Sequence, residues 1–166
     1  MPVNLDTHFR RGHPVVFTLL IIFSIIELAI SGWLVARFNS HHNFMSISVR
    51  DRTRFLLFCS AWTILLSSLY AGFFWLSASV FTSVLSHLIF LFVTWVLWLA
   101  GAASITAALG GGLDCGNHFT YCGQLNALEA FAWIIWVLTF FAFFSVILRA
   151  VSASRRGDGM GGQLVP

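Results

Sequence analysis

Two acidic residues lie inside long apolar stretches and are the first candidates for chemistry. Glu27 lies in the first stretch, Glu129 in the last, and His87 near the start of the third. A charge inside a membrane costs about 2.5–3.5 kcal/mol even on insertion scales. Each carboxyl should therefore face protein, carry a proton, or both. A small ion or proton transport protein that uses these three residues is one alternative function.

Hydroxyl side chains occur at matching depths on other predicted helices. Counting from the helix ends places Ser67 and Thr94 near the depth of Glu27, and Ser104 near the depth of Glu129. Hydrogen bonds to such hydroxyls average about 0.6 kcal/mol in membranes, so they specify packing more than they supply stability. This pattern favours structural packing over a relay, because a relay needs a chain of titratable groups.

The cysteines bear on orientation. Cys115 and Cys122 share one short loop, whereas Cys59 lies inside the second apolar stretch. A loop pair with this spacing can form a disulfide, which persists on the oxidising side of a membrane. The pair predicts an outer loop and cytosolic termini. Two free thiols in a cytosolic loop are the alternative, and the arginine count is too even to decide.

Residue patterns typical of redox or metal enzymes are not found. A haem protein would need paired axial histidines on facing helices, but His87 is the one histidine well inside a span. A quinone-linked disulfide enzyme would favour Cys-x-x-Cys. His41 and His42 are adjacent, and such a pair rarely directs both rings at one ion. The sequence predicts no catalytic site, no cofactor and no metal.

The amino-acid composition indicates that these residues lie on membrane-spanning helices. Hydrophobic residues make up 58% of the 166 residues and charged residues 9%, against roughly a quarter charged in soluble domains. The apolar residues form blocks of membrane-spanning length. The sequence predicts an all-α membrane protein, an antiparallel bundle of four transmembrane helices with a cytosolic N-terminal tail at 1–13 and a disordered cytosolic C-terminal tail at 152–166. The predicted spans are about 14–38, 55–76, 80–109 and 124–151.

The third helix carries a stripe of small residues. Ala100, Ser104 and Ala108 recur every four residues, beside Ala103 and Ala107. Small side chains let helix backbones approach closely in lipid, so we expect this stripe to pack inside the bundle. The 16% aromatic content suits contact with membrane lipid, including sterol. The basic residues lie at block ends as interface anchors, which argues against a nucleic-acid partner.

The overall arrangement resembles the MARVEL domain family, in detail its small fungal members, over about residues 10 to 150. The resemblance implies membrane organisation, through vesicle trafficking, membrane apposition or specialised lipid domains, and it implies no catalytic residues. It is carried by four spans, a minimal middle connection and the following residues: His13-Pro14, Ile26-Glu27-Leu28, Arg54-Phe55-Leu56 with Trp62, the Cys115 and Cys122 pair, and 125–131.

The leading functional hypothesis is a non-enzymatic scaffold in the plasma membrane or secretory vesicles. It would cluster with itself, with membrane-protein partners or with ordered lipid. Besides the transport protein described above, an accessory subunit of a larger membrane enzyme complex is a further alternative.

Overall fold

Four long helices make up the chain, and the computed structural model describes residues 5–76, 84–117 and 120–156. Each helix contains a segment long and apolar enough to cross a bilayer. The helices are α1 (Leu5–His41), α2 (Ile47–Leu76), α3 (Val84–Leu109) and α4 (Cys122–Arg156), and a short 3-10 turn covers Cys115–Asn117. The predicted four-helix bundle is confirmed.

The helices extend beyond the predicted spans. α1 begins at Leu5 and α4 continues to Arg156, so part of each predicted tail is helical. α2 begins at Ile47, which makes much of the predicted first polar segment helical as well. A change from apolar to polar residues does not by itself end a helix, because the backbone hydrogen bonds are internal to the helix. Arginine, which is frequent in these segments, is also a good helix former. The predicted tight connection at 77–79, the start of the predicted third span at 80–83 and residues 157–166 lie outside the described residues.

Local hydrogen bonds fix two of the helix ends. The hydroxyl of Ser46 accepts the backbone N–H of Val49 at 3.2 Å and caps the start of α2. At the end of α3, Gly110 takes a φ of 77° and the N–H of Gly111 donates to the carbonyl of Thr106 at 3.0 Å. This C-terminal cap of α3 suits glycine, which adopts positive φ without steric cost.

The helices form a ring in which each packs against two neighbours. α1 packs against α2 and α4, and α3 packs against the same two helices. Contacts of Phe23 with Phe131 and of Trp33 with Tyr121 show that α1 and α4 run antiparallel. We call the end of the bundle that holds Leu76 the turn end, and the opposite end, which holds the disulfide loop, the loop end. The start of α1 at Leu5 and the end of α4 at Arg156 lie at the turn end.

Polar residues of the spans lie inside the bundle, whereas its outer surface is strongly apolar. Large exposed side chains include Ile22, Leu65, Ile89 and Phe141. In lipid the outside is as apolar as the core, so polar groups gain by facing protein. The buried polar residues are Ser24, Glu27, Ser31, Thr53, Ser60, Thr63, Ser67, His87, Thr94 and Thr139.

Gly101 marks a close approach between α2 and α3. A methyl group at Gly101 would lie 2.7 Å from Cδ2 of Leu56, which is closer than van der Waals contact allows. By contrast, nothing lies within 4 Å of a methyl group added at Gly72. The absence of a side chain at Gly101 therefore sets the spacing of these two helices.

Gly101→Leu should destabilise the bundle by about 1–3 kcal/mol, because overpacking forces α2 and α3 apart. Gly72→Leu is the matched control and should stay within about 0.5 kcal/mol of the parent, as substitutions away from packed features usually do. The measurement is the free energy of unfolding in detergent micelles titrated with SDS. Equal losses in both variants would refute the close-packing interpretation.

Candidate functional site

Glu27 is fully buried, and neither of its carboxyl oxygens has a hydrogen-bond partner among the described residues. The buried hydroxyls of Ser24 and Ser67 likewise lack a partner there. These two serines are unusual in this chain. Other buried hydroxyls donate to the carbonyl oxygen four residues earlier, at 2.6–2.8 Å, as at Ser31, Thr53, Ser60, Thr63 and Thr139.

The antiparallel register of α1 and α2 gives the levels of these unpaired groups along the bundle axis. A methyl group at Gly32 would contact Leu57 at 3.7 Å, which aligns α1 with α2. From that point Ser24 and Ser67 lie at nearly the same level, and Glu27 lies about one turn closer to the loop end. By this count Glu27 and Ser67, which were predicted to match in depth, differ by five residues, or about 7.5 Å along the helix axis.

Glu129 has a defined partner at the seam of α3 and α4. The hydroxyl of Thr106 donates to Oε1 of Glu129 at 2.7 Å and accepts the indole N–H of Trp133 at 3.0 Å. Counting residues from the helix ends pointed to Ser104 at this depth. Ser104 instead donates to the carbonyl of Gly101 in its own helix at 2.9 Å. Depth alone therefore missed the correct hydroxyl by half a turn.

Two indole–hydroxyl pairs join α2 to α3. The indole N–H of Trp98 donates to Thr63 at 2.9 Å, and that of Trp62 donates to Thr94 at 3.3 Å. The sequence placed Thr94 near the depth of Glu27. The partner that the structure gives Thr94 is the indole of Trp62. A sequence signal for these pairs exists, since each pair combines tryptophan and threonine at matching depth on antiparallel neighbours.

His87 is not brought near either glutamate of the predicted transport route. The ring of His87 packs near the turn end, 6.2 Å from the ring of Phe17. Thr106, the partner of Glu129, lies 19 residues further along α3, or about 28 Å at helical rise. Glu27 lies ten residues from Phe17 along α1, or about 15 Å. These separations are far beyond hydrogen-bond reach.

The predicted placement of the small-residue stripe inside the bundle is wrong for three of its members. Ala100, Ala103 and Ala107 are exposed, while Ser104 and Ala108 are half-buried. The core must be filled to high density, and the larger side chains of α3 do this. The small residues are therefore left on the outer surface. The buried positions of α3 near the stripe are Trp98, Gly101, Ala102, Ile105 and Leu109.

Aromatic rings line the outer junction of α3 and α4. Trp95 stacks on Trp136 with ring centroids 6.3 Å apart and on Phe143 at 6.4 Å, and it also contacts Phe140. We call these four residues the aromatic seam. The indole nitrogens of Trp95 and Trp136 are buried and have no hydrogen-bond partner in the described part of the chain. The seam therefore acts through the shape of its rings rather than through polar contacts.

The disulfide loop is fixed to the loop end of the bundle. Cys115 and Cys122 are joined by a disulfide. Leu113 and Asn126 exchange two hydrogen bonds of 2.9 Å, which tie the loop to α4. The hydroxyl of Tyr121 accepts a hydrogen bond of 3.1 Å from the segment joining α1 and α2. Both connections at this end therefore form one interlocked surface.

Together, the four spans and the interlocked loop define a membrane-embedded four-helix domain with an outward apolar surface. The family model of the MARVEL membrane-associating domain matches residues 9–145, and this match reaches all four candidate spans. The chain belongs to the MARVEL family, whose members are generally non-enzymatic membrane proteins. Searches of curated protein sequences and of solved structures give no match.

The contact between Thr106 and Glu129 should be measurable by a double-mutant cycle of Thr106→Val and Glu129→Met. We expect a coupling energy of about 0.6–1.7 kcal/mol, in the range found for hydrogen bonds between membrane helices. The readout is the free energy of unfolding in micelles. Ser104→Ala replaces Thr106→Val in the control cycle and should show no coupling, because its hydroxyl serves its own helix. Coupling of equal size in both cycles would contradict the assigned partner.

Proposed function

We propose that this protein is a non-enzymatic scaffold that organises membrane by associating with itself. The observation that carries the proposal is the outward position of Ala100, Ala103 and Ala107 on α3. This small face is left exposed by the helices that the structure describes. In lipid, close approach of helix backbones is a main source of association, because hydrophobic burial supplies little.

The neighbouring surface gives the small face a complementary shape. The aromatic seam forms a ridge of rings at the junction with α4, and Trp95 lies five residues before Ala100 on α3. A ridge next to a shallow face suits packing against the same surface of a second copy, since two-fold interfaces are self-complementary. The half-buried hydroxyl of Ser104 is already bonded to Gly101. Association at this face therefore leaves that hydroxyl paired.

The proposed setting is the plasma membrane or a secretory vesicle. Family membership supports a role in trafficking, membrane apposition or the assembly of ordered lipid domains. Ordered lipid, including sterol, and other membrane proteins are the proposed partners beside a second copy. The separation of His87 from Glu27 and from Glu129 gives the transport alternative that uses all three residues no support.

Ala103→Leu combined with Ala107→Leu should weaken self-association about tenfold, equivalent to about 1.4 kcal/mol. The added side chains hold two helix backbones apart. The measurement is single-molecule photobleaching of labelled protein in liposomes at fixed protein-to-lipid ratios. Ala29→Leu is the matched control, because Ala29 is exposed on α1, diagonally across the ring. Freely diffusing monomers of the parent protein, with no lipid preference, would overturn the proposal.

We further propose that the loop end faces the non-cytosolic side and that both termini are cytosolic. A disulfide between Cys115 and Cys122 supports this orientation, because disulfides persist in oxidising compartments.

In sealed right-side-out vesicles, a membrane-impermeant reductant followed by a membrane-impermeant maleimide should label Cys115 and Cys122 without detergent. The reason is that the loop would be directly accessible from outside. Cys59 is fully buried and serves as the internal control that should stay unlabelled. Labelling that appears only after the vesicles are permeabilised would reverse the proposed orientation. Mass spectrometry of the labelled peptides gives the readout.

A further inference from the structure

A groove runs along the outer surface between α2 and α3 in the half of the bundle near the turn end. Its two ends are formed by hydrogen bonds between the helices. At one end the indole N–H of Trp62 donates to Thr94 at 3.3 Å, and at the other the hydroxyl of Tyr70 donates to the carbonyl of Ser86 at 3.2 Å. These bonds lie eight residues apart on each helix, which gives a length of about 12 Å.

The interior of the groove is apolar. Phe90 forms the floor and is 5% exposed, while Leu69, Ile89 and Val93 form an exposed rim and Leu66 is half-buried. The groove has a volume of about 520 Å³. This is ample for a molecule much larger than water, which occupies about 30 Å³ in the liquid. The groove is therefore a seat for a bulky apolar group.

The position of the groove decides what lies against it. The candidate spans Ile47–Tyr70 and Leu85–Leu109 include both of its walls. Trp62 lies near the middle of α2, and Tyr70 lies six residues from its described end. The groove therefore runs from mid-bilayer toward one interface and opens onto the lipid-facing surface. Lipid hydrocarbon, rather than water, is the medium that meets this opening.

The polar groups at the two ends favour an acyl chain over a sterol. The indole of Trp62 and the hydroxyl of Tyr70 already donate to groups on α3. The lining side chains between these two ends are Leu66, Leu69, Ile89, Phe90 and Val93, which are all apolar. A buried hydroxyl without a partner costs about 1–3 kcal/mol, and a sterol hydroxyl would have to compete with the Tyr70 bond. An acyl chain needs no polar partner along its length.

We propose that this groove binds one acyl chain of a phospholipid from the leaflet at the turn end. The inference rests on the membrane-scaffold function proposed above, since it names a lipid partner. Binding comes from dispersion contacts with the ring of Phe90 and the aliphatic walls, because transfer from lipid to the groove gains little hydrophobic energy. The small-residue face of α3 lies in the loop-end half, so lipid binding and self-association use different surfaces.

The test uses the full chain in liposomes that contain a phosphatidylcholine with a diazirine on one acyl chain. After photolysis, mass spectrometry should find adducts at Leu66, Ile89 and Val93. Their yield should exceed that at the lipid-facing residues Ile22 and Phe141 by about threefold or more. A threefold difference in occupancy corresponds to about 0.65 kcal/mol. Equal yields at all five positions would mean ordinary surface lipid and would overturn the inference.

A matched pair of variants tests the site itself. Val93→Trp fills the groove and should abolish the enrichment at Leu66 and Ile89. Val96→Trp places the same side chain at an exposed position of α3 outside the lining and should leave the enrichment unchanged. Loss of enrichment in both variants would contradict a local site. The parent labelling pattern needs no variant, so poor folding of either one leaves the test intact.

Two further arms separate the alternatives. A photoactivatable sterol in the same vesicles should not label Leu66 or Ile89 above the control positions. Sterol labelling there that displaces the phospholipid would overturn the acyl-chain assignment.

Photobleaching counts on the parent protein and on Val93→Trp distinguish the proposed self-association from the proposed lipid site. Clustering without groove labelling would uphold the scaffold function alone, and groove labelling of a parent protein that stays monomeric would uphold the lipid site alone.

Discussion

The structure depends on one constraint of the bilayer, which is that hydrocarbon offers no hydrogen bonds. Backbone groups are satisfied within four long helices, and polar side chains of the spans gain by finding partners inside the protein, although Glu27, Ser24 and Ser67 have none among the described residues. The indole–hydroxyl pairs between α2 and α3 and the contact between Thr106 and Glu129 meet this demand across helix seams. Packing geometry follows from these contacts, because the apolar residues alone distinguish poorly between inside and outside.

That constraint also explains why the proposed functional surfaces face outward. The core needs polar partners and dense filling, so large residues such as Trp98 and Ile105 occupy it. Ala103 and Ala107 are left facing lipid, and the rings of Trp62 and Phe90 border a groove rather than closing it. In a soluble protein such surfaces would be covered with charge. Here they are the surfaces that we propose for contact with another copy or with a lipid chain.

Sequence reasoning succeeded where a signal was local and failed where it required helix rotation. The apolar blocks gave the four spans, and the short loop between Cys115 and Cys122 made a disulfide geometrically natural. The partner of Glu129 was missed because a count of depth ignores the direction of a side chain around the helix. Ser104 and Thr106 differ by only two residues, yet they point about 200° apart on the helix.

The sequence by itself determined that this chain spans a membrane four times, because bilayer thickness and the cost of unpaired backbone groups leave few alternatives for such long apolar blocks. It also placed the cysteine pair in one connection. Only the tertiary structure decided which face of α3 is buried, which hydroxyl meets Glu129, and that a groove lies between Trp62 and Tyr70. The physical reason is that the lipid-facing side of a membrane helix is as apolar as most of its core side, so contacts with neighbouring helices set its rotation more than its apolar pattern does.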